Sequence, residues 1–268
     1  MTDNDLDAML DVAVTAARRA GAVQREKFGG ELKVLAKPVG DIKLEADRLC
    51  EAAIVETIRD RYPVHAVLAE EGGKTDGAEY IWYVDPLDGT VNYYFGVPHF
   101  CATLACYRQT GDSESGLGEP VLGVTYAAME DDMYVAAAGR ASKVNGRPVR
   151  VREEESLEDA LVIAALGNQP GKLVFTRQVV LELSKRIRKT RNLGAAALDL
   201  AYVASGKASA FFEYGVNAWD IAGGIVLVEA AGGMVTVRRM EGGLAVVASG
   251  RNIHHQLVEM LSLYDPRG

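Results

Sequence analysis

Residues 82–98 read WYVDPLDGTVNYYFGVP, an apolar and aromatic run that ends in two aspartates, Asp85 and Asp88, three positions apart in a proline-glycine segment. Ile81 to Val84 has the composition of a buried strand. Asp85-Pro86-Leu87-Asp88-Gly89 has the composition of a type I turn, with Asp first, Pro second and Gly at the close. A turn accounts for the Pro and the Gly. It accounts less well for two ionised carboxylates at the rim of a buried sheet, where desolvating charge is costly.

Upstream, His65 to Ala69 reads as a short strand that ends on Glu70 and Glu71. Neighbouring strand ends commonly deliver side chains to one site, so three or four carboxylates would converge. Crowded carboxylates repel one another unless protonated or bridged by cations, and an all-oxygen set without His or Cys suits Mg²⁺ or Mn²⁺ better than zinc. Gly89-Thr90 adds backbone N–H groups at a turn leading into a short helix, a natural seat for an anion such as phosphate. Carboxylates for metals beside N–H groups for an anion are the parts of a two-metal phosphate-ester site.

A second stretch, residues 217–233, reads NAWDIAGGIVLVEAAGG. Asn217 is a good N-cap, Asp220 in the first turn complements the helix dipole, and Gly232-Gly233 ends the helix. That local role is sufficient for these residues. The functional alternative is that the fixed helix start lets Asp220 face the first cluster.

Bulk properties frame these readings. The chain has 268 residues, 49% of them hydrophobic and 25% charged, enough for one large core or two coupled halves. A net charge of −8 and the absence of a Lys/Arg block argue against nucleic acid as a partner. No apolar run reaches the length of a membrane span, and MTDNDLDAML lacks the pattern of a secretory leader. Cys50, Cys101 and Cys106 cannot all pair and show no zinc spacing, so a reduced, cytoplasmic setting is expected.

The pattern opens with a helix over 5–28, carrying Leu6, Leu10, Val14, Ala17 and Phe28 at helical intervals and stopped by Gly29-Gly30. A second helix covers about 44–61. From Phe100 to Val151 short β-rich runs form a meander, with Asn145-Gly146 as a type I′ hairpin dipeptide. Beyond Arg152 the pattern predicts a strand over 160–166, a helix near 171–189, a helix after Gly194, a strand to Glu213, a helix from Ala218, strands near 234–249 and a terminal helix. The expected division is 1–152, carrying the DPLDGT site, and 153–268, carrying Asp220, packed as one mixed α/β unit.

With both stretches in view, the sequence resembles the inositol monophosphatase family of magnesium-dependent, lithium-sensitive phosphatases. That family's first signature, D-P-[IL]-D-G-[ST]-x-N-[FY] after an apolar run, stands here as WYVDPLDGTVNY, and its second as WDIAGGIVLVEAAGG. The likeness also covers the lead-in KPVGDIKLEADRLCEAAIVETIRDRYPVHAVLAEEGG. The resemblance implies a layered αβαβα sandwich of the inositol monophosphatase and fructose-1,6-bisphosphatase type, with the site between the halves and a homodimer as the usual assembly. It implies two Mg²⁺ ions, held by Glu70, Asp85, the Leu87 carbonyl, Asp88 and Asp220. Thr90 would hold the attacking water and Asp47 would polarise Thr90. The N–H groups of Gly89 and Thr90 would take the phosphate, while Ala195 and Glu213 would meet the substrate alcohol. For Asp47 a solvated helix-face charge, and for Glu213 an exposed strand-end carboxylate, are the alternatives.

Two departures matter. The family's D-x-V-T-x-x-D reads Asp41-Ile42-Lys43-Leu44-Glu45-Ala46-Asp47, which bears on any third, weakly held Mg²⁺. Tyr93-Tyr94-Phe95 replaces the usual Phe-x-His and is expected to make that wall of the site more aromatic. The expected substrate is a small phosphorylated polyol or sugar, myo-inositol 1-phosphate first, with fructose 1,6-bisphosphate, histidinol phosphate or a 3′-phosphonucleotide as alternatives. A non-catalytic cation- and anion-binding scaffold is the reading from another class. Cysteine, histidine and haloacid-dehalogenase-type phosphatase motifs and the P-loop are absent from the sequence.

Overall fold

The computed structural model describes residues 1–38, 42–110, 116–165, 173–240 and 243–262. Its first half comprises α1 (Asp3–Lys27), β1 (Val34–Ala36), β2 (Lys43–Leu44), α2 (Glu45–Arg61), β3 (Ala66–Ala69), β4 (Gly73–Lys74), β5 (Tyr80–Asp88), α3 (Thr90–Tyr94), β6 (Cys101–Arg108), β7 (Glu119–Ala127), β8 (Asp132–Ala137), β9 (Lys143–Val144) and β10 (Arg147–Pro148). There follow β11 (Leu161–Ala164), α4 (Leu173–Ser184), β12 (Lys189–Arg191), α5 (Ala196–Ala204), β13 (Ala210–Val216), α6 (Ala218–Ala230), β14 (Met234–Met240), β15 (Gly243–Ser249) and α7 (Arg251–Ser262).

Helix α1 begins with a capping box, Thr2 accepting from the Asp5 N–H while the Asp5 carboxylate takes the Thr2 N–H. It buries Leu6, Met9, Ala13, Ala16, Ala17 and Ala20, and Leu10 and Val14 lie on the flank of that stripe. With α2 it covers one face of an eight-stranded sheet ordered β10-β9-β8-β7-β6-β5-β3-β4. Every pairing in that sheet is antiparallel except β3 with β5. The hairpin at Asn145-Gly146 has both residues at positive φ, 48° and 77°, as a type I′ turn requires.

The other face of this sheet meets α5 and α6, which lie between it and a five-stranded sheet ordered β12-β11-β13-β15-β14. On the far side of the second sheet sit α4 and α7. The layers therefore run helix, sheet, helix, sheet, helix, the expected αβαβα sandwich.

The glycines of α6 explain how the central helices fit. Gly223 lies on the first sheet, where a Cβ would come within 2.5 Å of Thr103 Oγ1, and a Cβ at facing Gly123 would come within 2.6 Å of the Gly223 carbonyl oxygen. The helix backbone rests on the sheet because neither residue has a side chain. That close seat fixes the start of α6, and with it Asp220.

Three local expectations are corrected. Asp85 to Asp88 does not form a type I turn. Strand β5 runs through Asp88, and its register with β6 slips between Asp85↔Thr103 and Asp88↔Cys101, one residue more on β5 than on β6. This is a β-bulge, suited to Pro86, which has no N–H to give, and the Leu87 N–H donates to Asp85 Oδ1 at 3.1 Å. The helix near 171–189 ends at Ser184, its last turn tightened by three-residue bonds from the Lys185 and Arg186 N–H groups, and Lys189–Arg191 forms a parallel edge strand beside β11. Residues 171 and 172 lie outside the described residues, as do Ala165's expected strand neighbour at 166 and Asp41 of the lead-in motif. Strand β13 continues past Glu213 to Val216, with an irregularity between Tyr214 and Val216.

Candidate active site

The two strand ends of the first sheet supply the acidic residues. Because β3 and β5 are parallel, Ala69↔Val84 being the last pair, their carboxyl ends lie side by side, and the Glu70 N–H donates to the Val84 carbonyl at 3.2 Å. Glu70 is thereby set next to Asp85. The segment is anchored from beneath by buried Gln24 of α1, whose Nε2 donates to the Pro86 carbonyl at 2.9 Å. Leu87 is buried in a small apolar cluster with Leu44, Tyr93 and Phe100.

Gly89 is the left-handed pivot between β5 and α3, at φ 92°. A Cβ there would approach the His99 carbonyl oxygen to 2.9 Å and the Ala195 Cβ to 3.2 Å, so a side chain is excluded on both conformational and steric grounds. Thr90 opens α3; its hydroxyl lies 2.9 Å from the Leu87 carbonyl oxygen and 3.2 Å from Asp47 Oδ1. Asp47 is 1% exposed and also accepts the Leu44 N–H. Burial, with the Leu44 hydrogen bond opposing and Glu70 and Glu71 adding to the rise, pushes its pKa up to about 7. A solvated helix-face charge does not describe it.

The second half contributes through two helix starts. The Ala197 N–H, in the first turn of α5, donates to Asp88 Oδ2 at 2.7 Å. Asp220 caps its own helix, accepting the Asn217 N–H at 2.7 Å. Asn92 stitches the halves together, its Nδ2 donating to the carbonyls of His99 (2.8 Å) and Leu193 (2.7 Å).

The electrostatics tie these residues into one group. Burial raises the Asp85 carboxyl well above the usual range, and Glu70, Asp88 and Asp220 raise it further, with a hydrogen bond to Glu70. Asp88 is pushed up to about 7 by burial, with Ala197 opposing and Asp199 and Glu70 adding. Asp220 is raised by burial, against its Asn217 hydrogen bond, and then by Asp88 and Glu70. Glu213, paired with Val246 inside the sheet, is raised by burial and then by Asp220, Asp88 and Asp199, so it belongs to the acidic group and is not an exposed strand end.

Such mutual repulsion is what a bound cation relieves, and the donor set is all oxygen, which fits a hard divalent ion. Among the described residues no three His, Cys, Asp or Glu side chains are yet gathered closely enough to hold a metal ion. One oxygen each of Asp85, Asp88 and Asp220 is engaged by a backbone N–H, and Glu70 is paired with the Lys43 ammonium. A carboxylate has two oxygens. The second oxygen of each is the donor a cation would use.

Of the residues singled out in the sequence, Asp85 and Asp220 feel the charges of the neighbouring Glu70 and Asp88, Glu213 feels those of Asp220 and Asp88, and Leu87, Gly89, Thr90 and Asp47 adjoin them where β5 passes into α3. Ala195 is the N-cap of α5, buried against Gly89, and the helix-start N–H that meets the cluster belongs to Ala197. Tyr93 turns inward, its hydroxyl donating to the Gln24 carbonyl at 2.7 Å, which leaves Tyr94 and the 71%-exposed Phe95 as the outward aromatic residues of that turn. Sequence reasoning missed Ala197, Asn92 and the buried Asp199, which pairs with His99 Nε2 at 2.8 Å. A helix start after Gly194 was legible, but a backbone N–H carries no residue signature.

A family model described as the inositol monophosphatase family matches residues 5–261. A Pseudomonas aeruginosa protein named Nus factor SuhB is 37% identical over 243 residues, 86% of each chain. A Mesorhizobium japonicum inositol-1-monophosphatase is 37% identical over 252 residues, 91% of this chain and 90% of the relative. The solved inositol monophosphatase from Anabaena superposes with a TM-score of 0.84 at 32% identity, covering 98% of both chains.

Proposed function

The chain belongs to the inositol monophosphatase family and is a phosphomonoester hydrolase, and from that premise we propose that it releases phosphate from myo-inositol 1-phosphate with the help of two Mg²⁺ ions. Metal dependence is general to the family; the identity and number of the ions are part of this reading. The carrying observation is that Glu70, Asp88 and Asp220, from the ends of β3 and β5 and the start of α6, raise the charge cost of Asp85, and that Asp88 and Glu70 raise that of Asp220.

Glu70, Asp85, Asp88, Asp220 and the Leu87 carbonyl would hold the ions, which when bound lower the pKa of a water and stabilise the leaving oxygen. Thr90 orients the attacking water, donating toward Leu87 or Asp47 and accepting from the water in return, while Asp47 sits where a proton can pass. The first N–H groups of α3, at Gly89 and Thr90, bind phosphate oxygens. The water oxygen bonds to phosphorus, the phosphorus–alkoxide bond breaks, and the alcohol oxygen takes a proton. Glu213 accepts a substrate hydroxyl, and the start of α5 at Ala195 walls the alcohol.

The division of labour falls at residue 152: the first half supplies the metal and phosphate residues, and the second supplies Asp220, Glu213 and α5. A homodimer, lithium sensitivity and a cytoplasmic setting complete the reading. Among the described residues no helix is long and apolar enough to cross a membrane. Relatives named Nus factor SuhB match as well as those named for the phosphatase; the net charge of −8 favours a small-molecule substrate over a nucleic-acid backbone. Relative kcat/KM on myo-inositol 1-phosphate, fructose 1,6-bisphosphate, histidinol phosphate and a 3′-phosphonucleotide tests the substrate choice, and a higher value for any of the last three displaces the inositol ester.

A further inference from the structure

Lys43, one of the departures from the family pattern, brings an ammonium into the acidic group. It stands on β2, and its Nζ forms a hydrogen-bonded ion pair with Glu70 and lies 2.8 Å from Glu71 Oε1. The Lys43, Glu70 and Glu71 side chains are 25%, 21% and 12% exposed. A lysine ammonium set between two carboxylates carries its ordinary full positive charge at neutral pH. Glu71 is itself anchored, its N–H donating to Glu51 Oε2 at 2.8 Å.

We infer that Lys43 is a tethered cation that shares Glu70 with the divalent metal, weakening metal binding at Glu70 while holding the acidic group together before metal arrives. The inference rests on the two-metal reading above. Two routes are open to an incoming ion, and both cost affinity. It can displace the ammonium from Glu70, breaking a charge-assisted hydrogen bond in a largely buried place, with the flexible lysine stem swinging to Glu71 alone. Otherwise it binds beside a positive charge that remains a few ångströms away, where the repulsion is poorly screened. A neutral side chain at this position imposes neither cost. The same ammonium supplies counter-charge to Glu70, and through Glu70 to Asp85, when no metal is bound.

The test compares Lys43→Met, which keeps an apolar stem and removes the charge, with Lys43→Arg, which keeps the charge. Mn²⁺ binding is read directly by electron paramagnetic resonance on chelator-stripped protein without substrate. Melting temperatures with and without Mg²⁺ are read alongside. Lys43→Met is expected to bind Mn²⁺ about tenfold more tightly than wild type. It should melt lower than wild type in chelator and gain more on adding Mg²⁺, while Lys43→Arg stays close to wild type in all three readings. Unchanged or weaker Mn²⁺ binding by the Met variant overturns the inference, because a purely structural lysine leaves affinity unmoved and a lysine that aligns Glu70 for the metal lowers it when lost. If no Mn²⁺ binds to any of the three proteins and wild type releases phosphate in chelator, the two-metal reading itself fails, and this inference with it.

Discussion

The Thr90 hydroxyl stands 3.2 Å from Asp47 Oδ1, although the two residues are 43 positions apart and belong to different helices. Asp47 is fixed from the other side by the Leu44 N–H, so its carboxyl has little freedom to choose another partner. In the proposed mechanism this contact, between the start of α2 and the start of α3, would carry a proton from the attacking water.

Thr90→Ala should therefore lower kcat by roughly 10²-fold while leaving metal affinity within about twofold of wild type. Asp47→Asn should give a loss of similar size, and the double variant should lose little more than either single one, because the two act as a unit. Steady-state kinetics with a metal-binding isotherm check this. Additive losses would separate the two residues.

Removing metal should make the protein's stability fall as pH rises. An aspartate in an unfolded chain titrates at about 4, whereas Asp47 and Asp88 are raised to about 7 in the fold. Between those values the native state holds the extra protons, so their stabilising contribution is full below about pH 4 and is lost as pH rises through about 7. Melting temperatures in chelator should decline across that window, Mg²⁺ should restore them at the alkaline end, and Asp88→Asn should shallow the decline. A chelated protein as stable at pH 8 as at pH 5 would contradict the assigned burial of charge.

Glu213→Ala should change substrate preference more than intrinsic hydrolysis. The carboxyl lies within the field of Asp220 and Asp88 yet accepts no backbone cap among the hydrogen bonds of the described residues, which suits a group kept for a substrate hydroxyl. The expected result is a rise in KM for myo-inositol 1-phosphate with little change for a simple aryl phosphate. Equal losses on both would assign Glu213 to the chemistry.

Gly223→Ala tests the architecture that places Asp220. The added methyl would meet Thr103 Oγ1 at 2.5 Å, so either α6 lifts from the sheet or Thr103 turns and gives up its bonds to Val124 and Thr125, at a cost of about 1–3 kcal/mol. Melting temperature should fall by several degrees. Metal affinity should fall with it if the helix lifts, since α6 carries Asp220; stability loss with unaltered affinity would place the adjustment on Thr103 instead.

Much of this arrangement is legible in the sequence, and what is not has physical reasons. The apolar intervals of α1, the Asn145-Gly146 hairpin and the helix from Ala218 are local signals, and each forms as read. The bulge at Asp85–Asp88 is not local: Asp, Pro and Gly compose a turn equally well, and pairing with β6 decides between them. Strand β12 is hidden for the same reason, since Lys189–Arg191 has little apolar character and is held as an edge by β11. The Lys43 contact with Glu70 joins residues 27 positions apart, and the sequence shows only that a lysine stands where valine is usual. Tyr93 reads as an outward aromatic because its inward partner, the Gln24 carbonyl, lies 69 positions away.

Phosphate release from myo-inositol 1-phosphate across a Mg²⁺ titration, for wild type and Asp88→Asn, measures metal-dependent hydrolysis by the acidic group most directly. Wild type should show no turnover in chelator and saturable activation by Mg²⁺, with Asp88→Asn folded but inactive at every concentration. Release by wild type that is indifferent to chelator, or an Asp88→Asn protein as active as wild type at saturating Mg²⁺, would contradict it.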